Sequence, residues 1–235
     1  MSNKIKVFRN EEHYLISMYE RSNLINRLSQ LLIPDKYGDK LGGYKVRSLY
    51  FDSPDNRDYH DKMGKEEFRT RIRIRTYDID GDIAKLEIKR QYQKNQVKDS
   101  IIVTKRQVLE IIKGNYEVIL EEQSEIANLI YNMMSSYRYR PVAIVQYDRV
   151  AFTHPLFNTR ITIDSNLEYS DMTDQLFAHD LVLHRFLSIH NAILEVKYEK
   201  YLFPYLQAII GSLDKVGESP SKYETCRSLL QDYYN

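Results

Sequence analysis

From Phe68 to Tyr77 the chain alternates strictly, with Arg69, Arg71, Arg73 and Arg75 on one parity and Phe68, Thr70, Ile72, Ile74 and Thr76 on the other. A period of two with β-branched partners predicts a strand. The same pattern recurs in Lys85-Leu86-Glu87-Ile88-Lys89, in Arg160-Ile161-Thr162-Ile163-Asp164 and in Leu194-Glu195-Val196-Lys197-Tyr198. Tyr44 to Phe51 carries Lys45 and Arg47 on one parity, and a further strand runs from Val142 to Arg149. At least six strands are predicted, most with one charged and one apolar face. Helical spacing fills the intervals. Leu24, Ile25, Leu28, Leu31 and Leu32 form a stripe between Met18 and Ile33 that Pro34 stops. Thr104 with Gln107 reads as a capping box for a short helix closed by Gly114. Ser124 to Tyr137, Phe203 to Leu213 and Tyr223 to Tyr234 complete the helices, and Asp171 to Asp174 reads as loop.

Composition narrows the class. Of 235 residues, 43% are apolar and 28 are Tyr or Phe (20 and 8), which excludes a disordered chain. The single cysteine, Cys226, excludes a disulfide scaffold and suits a reducing compartment, so a cytoplasmic protein is expected. No apolar run approaches the ~18 residues of a membrane span, and Met1 to Lys6 lacks the apolar stretch of a secretory signal. The 34 Lys+Arg and 33 Asp+Glu leave a net charge of +1, which argues against a nucleic-acid coat.

Charge placement says more than charge total. Side chains on one face of a strand sit roughly 7 Å apart. Neighbouring guanidinium groups repel by about 2 kcal/mol at an effective dielectric of ~20, and by well under ~1 kcal/mol in open water. A solvated arginine ladder is therefore cheap, whereas a converging one calls for an anion. Two architectures follow: an antiparallel sheet with its charges toward water, or a closed barrel with charges inward and helices over the apolar faces. The second implies a polyanionic ligand, with Glu87 and Glu195 suited to a divalent metal. Periodicity alone leaves both open.

Ser48-Leu49-Tyr50-Phe51-Asp52-Ser53-Pro54, the alternating arginines ending at Tyr77, and Leu86-Glu87-Ile88-Lys89-Arg90 resemble blocks of the VTC domain, the polyphosphate polymerase branch of the CYTH or triphosphate-tunnel superfamily. Tyr147-Asp148-Arg149, the strand from Arg160, the strand from Leu194, and Ser221-Lys222-Tyr223 follow in the family's order. The resemblance implies an α+β fold, a single domain over residues 1–235, built as an antiparallel β-barrel tunnel of about eight strands flanked by helices. It implies transfer of the ATP γ-phosphate to a polyphosphate chain with Mn²⁺ or Mg²⁺. The alternatives are a metal-dependent tripolyphosphatase or nucleoside triphosphatase, and a non-catalytic module that binds polyphosphate or nucleotide.

Carried over by position, the resemblance makes Arg69, Arg71, Arg73, Lys89 and Arg149 catalytic. Lys45, Arg47, Lys98, Arg160, Lys197 and Lys222 become phosphate-binding, and Glu195, Glu87 and Glu11 metal-binding. Arg9 stands where the hydrolases carry the first glutamate of their Glu-x-Glu-x-Lys strand, His13 where they carry its lysine, and Ser100 where a basic residue is common. ATP or triphosphate and polyphosphate are the implied partners, without nucleic acid or membrane insertion by this chain; any membrane partner is a separate protein. The six histidines show no metal-ligand spacing, and Gly42-Gly43 reads as a turn without the Lys and Ser/Thr of a P-loop. Cys226 reads as a buried small apolar group and Tyr233-Tyr234 as a tail or packing anchor.

Overall fold

The computed structural model describes residues 9–35, 43–93, 95–217 and 219–234, with side chains from 10 to 231. Gly42, the side chains of Arg9, Tyr233 and Tyr234, and the stretch Met1 to Lys6 lie outside the described set. Strand β1 (Arg9–Ser17) leads into helix α1 (Met18–Leu28), where the Ser17 hydroxyl accepts from Glu20 N and caps the first turn. There follow β2 (Ile33–Pro34), β3 (Tyr44–Asp52), α2 (Arg57–Met63), β4 (Phe68–Thr76), β5 (Ile83–Tyr92) and β6 (Asn95–Thr104). Then come α3 (Lys105–Ile112), a 3₁₀ turn (Tyr116–Glu122), α4 (Glu125–Ser136), β7 (Arg140–His154) and β8 (Thr159–Ser170). β9 (His184–Arg185), β10 (Asn191–Glu199), α5 (Pro204–Gly211), β11 (Lys215–Gly217) and α6 (Lys222–Tyr234) complete the chain.

Eleven strands form one antiparallel sheet in the order β11-β1-β10-β8-β7-β3-β4-β5-β6, with β2 on β7 and β9 on β8. No pairing joins β11 to β6 among the described residues, so the expected closed barrel of about eight strands is corrected to an open sheet of eleven. Closure depends on stagger between strands, which side-chain alternation does not encode. The two- and three-residue strands are likewise too short to show a period. No helix among the described residues is long and apolar enough to cross a membrane.

The chain partitions into two compact units. The first holds residues 1–45, 147–167 and 187–220; the second holds 46–146, 168–186 and 221–235. In the first, Ile161, Ile163, Leu194 and Val196 pack on Leu24 and Leu28 of α1 and on Leu206 and Ile210 of α5. In the second, Leu49, Phe51, Ile72, Ile74, Leu86 and Ile88 pack on Val108 and Ile111 of α3 and on Ile130 and Met134 of α4. Helices thus cover the apolar parity in both units. The predicted capping box at Thr104 is present, with Thr104 and Gln107 exchanging bonds between side chain and backbone. Gly43 is needed where it stands: its φ is +79°, and a Cβ there would meet the Arg149 carbonyl oxygen at 2.3 Å.

Candidate functional site

The polar parity of the second unit is built by register. Ser48 lies opposite Arg75 and Tyr50 opposite Arg73; Arg71, Arg73 and Arg75 face Lys89, Glu87 and Lys85; Glu87 and Lys89 face Ser100 and Lys98. Glu87 is the hub. It accepts from Arg73 Nε at 2.7 Å and from Lys98 Nζ at 2.6 Å, with Arg75 Nη1 at 3.9 Å. Burial alone would push its carboxyl up, but Arg73, Arg75 and Lys98 hold it well below the usual carboxylate range. Glu87, expected as a metal ligand, is thus engaged by cations in this structure. Its oxygens serve three cations, and it does not belong to the carboxylate-histidine group described below.

The cations outnumber this one acid. Arg73 donates to the Tyr50 hydroxyl at 3.1 Å. Burial opposes ionisation of that hydroxyl, yet Arg73, Arg71 and Arg75 together bring its pKa below the ordinary tyrosine value. Arg73 thus holds the phenol directly, while Arg71 and Arg75 act on it through their charge. Arg71 lies over the Tyr223 ring, 5.0 Å from its centroid. The Nε atoms of Arg69 and Arg71 are buried without a hydrogen-bond partner, and no carboxylate stands within ion-pair distance of either among the described residues. Groups in that state are costly unless a ligand meets them.

Behind Arg71 lies a framework that the sequence motif did not explain. Asp52 Oδ1 accepts from the Ser53 and Asp58 amides, and Oδ2 accepts from the Tyr59 amide and the Tyr223 hydroxyl. One carboxylate thereby takes two amides at the N-terminus of α2, where Ser53 Oγ takes that of Arg57, and ties α6 to β3. Asp58 accepts from the Tyr139 hydroxyl at 2.8 Å. Burial and the neighbouring Asp52 push its pKa up to about 8.

The polar parity of the first unit has a different chemistry. Glu11 lies opposite Lys197 and His13 opposite Glu195. Ligand atoms of Glu11, His13 and Glu195 fall within 4.8 Å of one another. His13 Nε2 is 2.8 Å from Glu11 Oε1 and 3.7 Å from Glu195 Oε1. Lys197 Nζ lies 2.7 Å from Glu195 Oε1 and 3.5 Å from Glu11 Oε1, while Thr162 donates to Glu195 Oε2 at 3.1 Å. Two carboxylates and an imidazole suit a divalent cation, and the nitrogen favours Mn²⁺ over Mg²⁺. The donor set therefore fits the implied metal. His13 has no ligand spacing along the chain because its companions come from the same strand and from one almost 200 residues away.

Other expected residues are placed differently. Arg149 is buried, donating from Nε and Nη2 to Asp164 Oδ1 and Oδ2, both at 2.7 Å, with Glu195 Oε2 at 3.8 Å from Nη2. Its guanidinium, expected to be catalytic, is thus paired with Asp164 and lies beside Glu195. Arg47 shares its parity with Leu49 and Phe51 and donates to Gln146 Oε1 and to the carbonyls of Leu176 and Ala178. It anchors the loop after β8, and the phosphate-binding expectation for it has no support in this geometry. Lys45 is exposed, 3.5 Å from Asp148. Arg160 donates to Asp35 and Tyr44. Lys89 and Lys222 are half-buried, on β5 and at the start of α6.

Comparisons with known proteins bear on the whole arrangement. A structure from Bacillus halodurans, named only provisionally as an adenylate cyclase, aligns with a TM-score of 0.50 at 12% identity, covering 96% of each chain. The PH1819 protein of Pyrococcus horikoshii aligns at 0.43 and 11% identity over 95% of this chain and 99% of its own. The first likeness concerns the fold alone. No curated protein sequence matches. The family model of the VTC domain matches residues 8–231, across both units. With that match over nearly its whole length, the chain belongs to the VTC-domain family, a triphosphate-binding, metal-dependent group.

Proposed function

We propose that the protein is an ATP-dependent polyphosphate polymerase that transfers the γ-phosphate of ATP to the end of a polyphosphate chain. The observation that carries this reading is the run of Arg69, Arg71, Arg73 and Arg75 at alternate positions of β4, with buried Nε groups on Arg69 and Arg71 that lack acceptors among the described residues. Family membership supports the triphosphate chemistry.

Phosphoryl transfer asks a protein mainly for position and charge. Arg69, Arg71 and Arg73 bind the phosphate oxygens, and fixed guanidinium groups need little reorganisation as charge shifts toward the leaving oxygen. Tyr223 beneath Arg71 and Tyr50 beside Arg73 hold those two groups in place. Glu87 keeps Arg73 and Lys98 at fixed separation without cancelling the face's positive charge. Lys89 adds a cation between Arg71 and Lys98 in the register. Glu11, His13 and Glu195 would hold the divalent ion, which supplies Lewis-acid neutralisation of phosphate oxygens. Arg149 and Thr162 orient Glu195, and Lys197 balances its charge. The attacking group is a terminal phosphate, already ionised, so no general base is required.

The test is incubation of the full chain with ATP and Mn²⁺, followed by gel electrophoresis and ADP measurement. Long, acid-labile chains with matching ADP are expected. Orthophosphate alone would instead assign a hydrolase, and salt-sensitive ATP binding without turnover would assign a binding module.

A further inference from the structure

The second unit has an open cavity of about 570 Å³ whose lining, Asn56, Arg140, Pro141, Val142, Asp171, Thr173, Arg227, Leu230 and Gln231, includes no residue of the arginine ladder. The volume lies within the range of small-molecule sites. Its central feature is Arg227 on α6, which is only 7% exposed. Arg227 Nη2 donates to Asn56 Oδ1 at 2.5 Å, its guanidinium lies 5.9 Å from the Tyr59 ring centroid, and its Nε has no acceptor. No carboxylate stands within ion-pair distance of it among the described residues. Burying a cation costs several kcal/mol unless an opposite charge accompanies it, and a neutral amide oxygen supplies only part of that. Asn56 reaches it from a left-handed backbone, φ 56° and ψ 38°, a conformation that asparagine tolerates better than most residues.

We infer that this cavity is a second anion site, distinct from the arginine face of β4, for a phosphate-bearing small molecule of nucleotide size. Arg227 and Arg140 are its cations, and guanidinium forks match phosphate oxygens in pairs. Asp171, exposed at the rim, leaves the lining with a net charge of +1. Pro141, Val142 and Leu230 form an apolar wall for the body that carries the anion, while Asn56, Thr173 and Gln231 offer further hydrogen bonds. Among the described residues Arg140 is held only by a long bond to the Pro54 carbonyl, at 3.5 Å, so it can turn to an entering ligand. This inference does not depend on polymerase activity.

The experiment is calorimetric titration of the full chain, in metal-free buffer, with ADP and separately with pyrophosphate. It compares the wild-type chain with Arg227→Gln, Arg140→Gln and Arg71→Ala. Two classes of site are expected in the wild type. Arg227→Gln and Arg140→Gln should each weaken the same class, by tenfold or more and by severalfold respectively, while Arg71→Ala weakens the other. ADP binding this class more tightly than pyrophosphate would add the apolar wall to the site; equal affinity would reduce the ligand class to the bare oxyanion and overturn the nucleotide-sized assignment. A single class abolished by Arg71→Ala and untouched by both cavity variants would overturn the inference. A single class lost only in the cavity variants would uphold it while removing support from the ladder. Arg140 is exposed, so its variant reads out the site even where Arg227→Gln fails to fold.

Discussion

The polar faces of the two units are made by the same alternation yet carry opposite chemistry. In the second unit, four arginines and three lysines share a face with one carboxylate, Glu87, which is 2% exposed and paired with Arg73, Arg75 and Lys98. In the first, Glu11, Glu195 and His13 form a donor cluster, and Arg149 is matched by its own acid, Asp164, at 0% exposure. One face has excess positive charge; the other has its arginine neutralised and its carboxylates gathered. The difference teaches that a basic residue on a strand says nothing of its role until its neighbours across the ladder are known.

Several variants break or sharpen that contrast. The largest effect is expected from Asp164→Ala, which leaves Arg149 buried with only the longer contact to Glu195, at 3.8 Å. Breaking a buried pair costs about 3–5 kcal/mol, readable as lower stability in denaturant unfolding, whereas Lys45→Ala, at an exposed pair, should change it by under ~1 kcal/mol. Next, Glu195→Gln should lower metal-dependent turnover by about 10²–10³-fold, comparable with losing a preorganised electrostatic group, and should weaken Mn²⁺ binding measured by electron paramagnetic resonance. Unchanged Mn²⁺ affinity would move the metal elsewhere. Arg71→Ala should cost about 10²-fold in kcat/KM with little loss of stability, because Arg71 has no carboxylate to orphan. Arg73→Ala should lower stability as well, since it removes one of the cations around Glu87.

A smaller effect concerns pH. Asp58 binds its proton up to about pH 8 in the folded chain, whereas an unfolded aspartate releases it near ~4. Between those values the native state holds more protons, so stability falls as pH rises, at up to about 1.4 kcal/mol per pH unit. Above about 8 the fall from this group ends. Asp58→Asn should flatten that part of the stability profile, measured by urea unfolding at pH 5, 6, 7 and 8. Smallest of all, His13→Ala should shift metal preference from Mn²⁺ toward Mg²⁺ by a few-fold, as the nitrogen donor is lost.

Much of this was legible before any coordinates. The strands around Arg71, Glu87, Ile161 and Val196, the helices beginning at Thr104 and Ser124, and burial of Cys226 all follow from period, capping and composition. Strand β6 escaped because Asn95 to Ser100 is mostly polar on both parities. The short helix α2 escaped because its N-terminus is closed by Asp52, five residues upstream, and not by an adjacent cap. Among candidate residues, Glu195 and Arg71 could be found from motif and alternation. Tyr50, Tyr223 and Asp164 were visible within the blocks but not as partners, since each meets its mate through folding alone.

Local order in the chain determined which segments become strands or helices and which parity each strand buries, because steric and solvation preferences act within a few residues. It also brought the chain to its family. The number of strands, the open path of the sheet, the ion pairs of Glu87 and Arg149 and the entry of His13 into a donor cluster were decided only by tertiary structure. Electrostatic roles depend on distances of a few ångströms between residues far apart in sequence, and those distances exist only once the strands are in register.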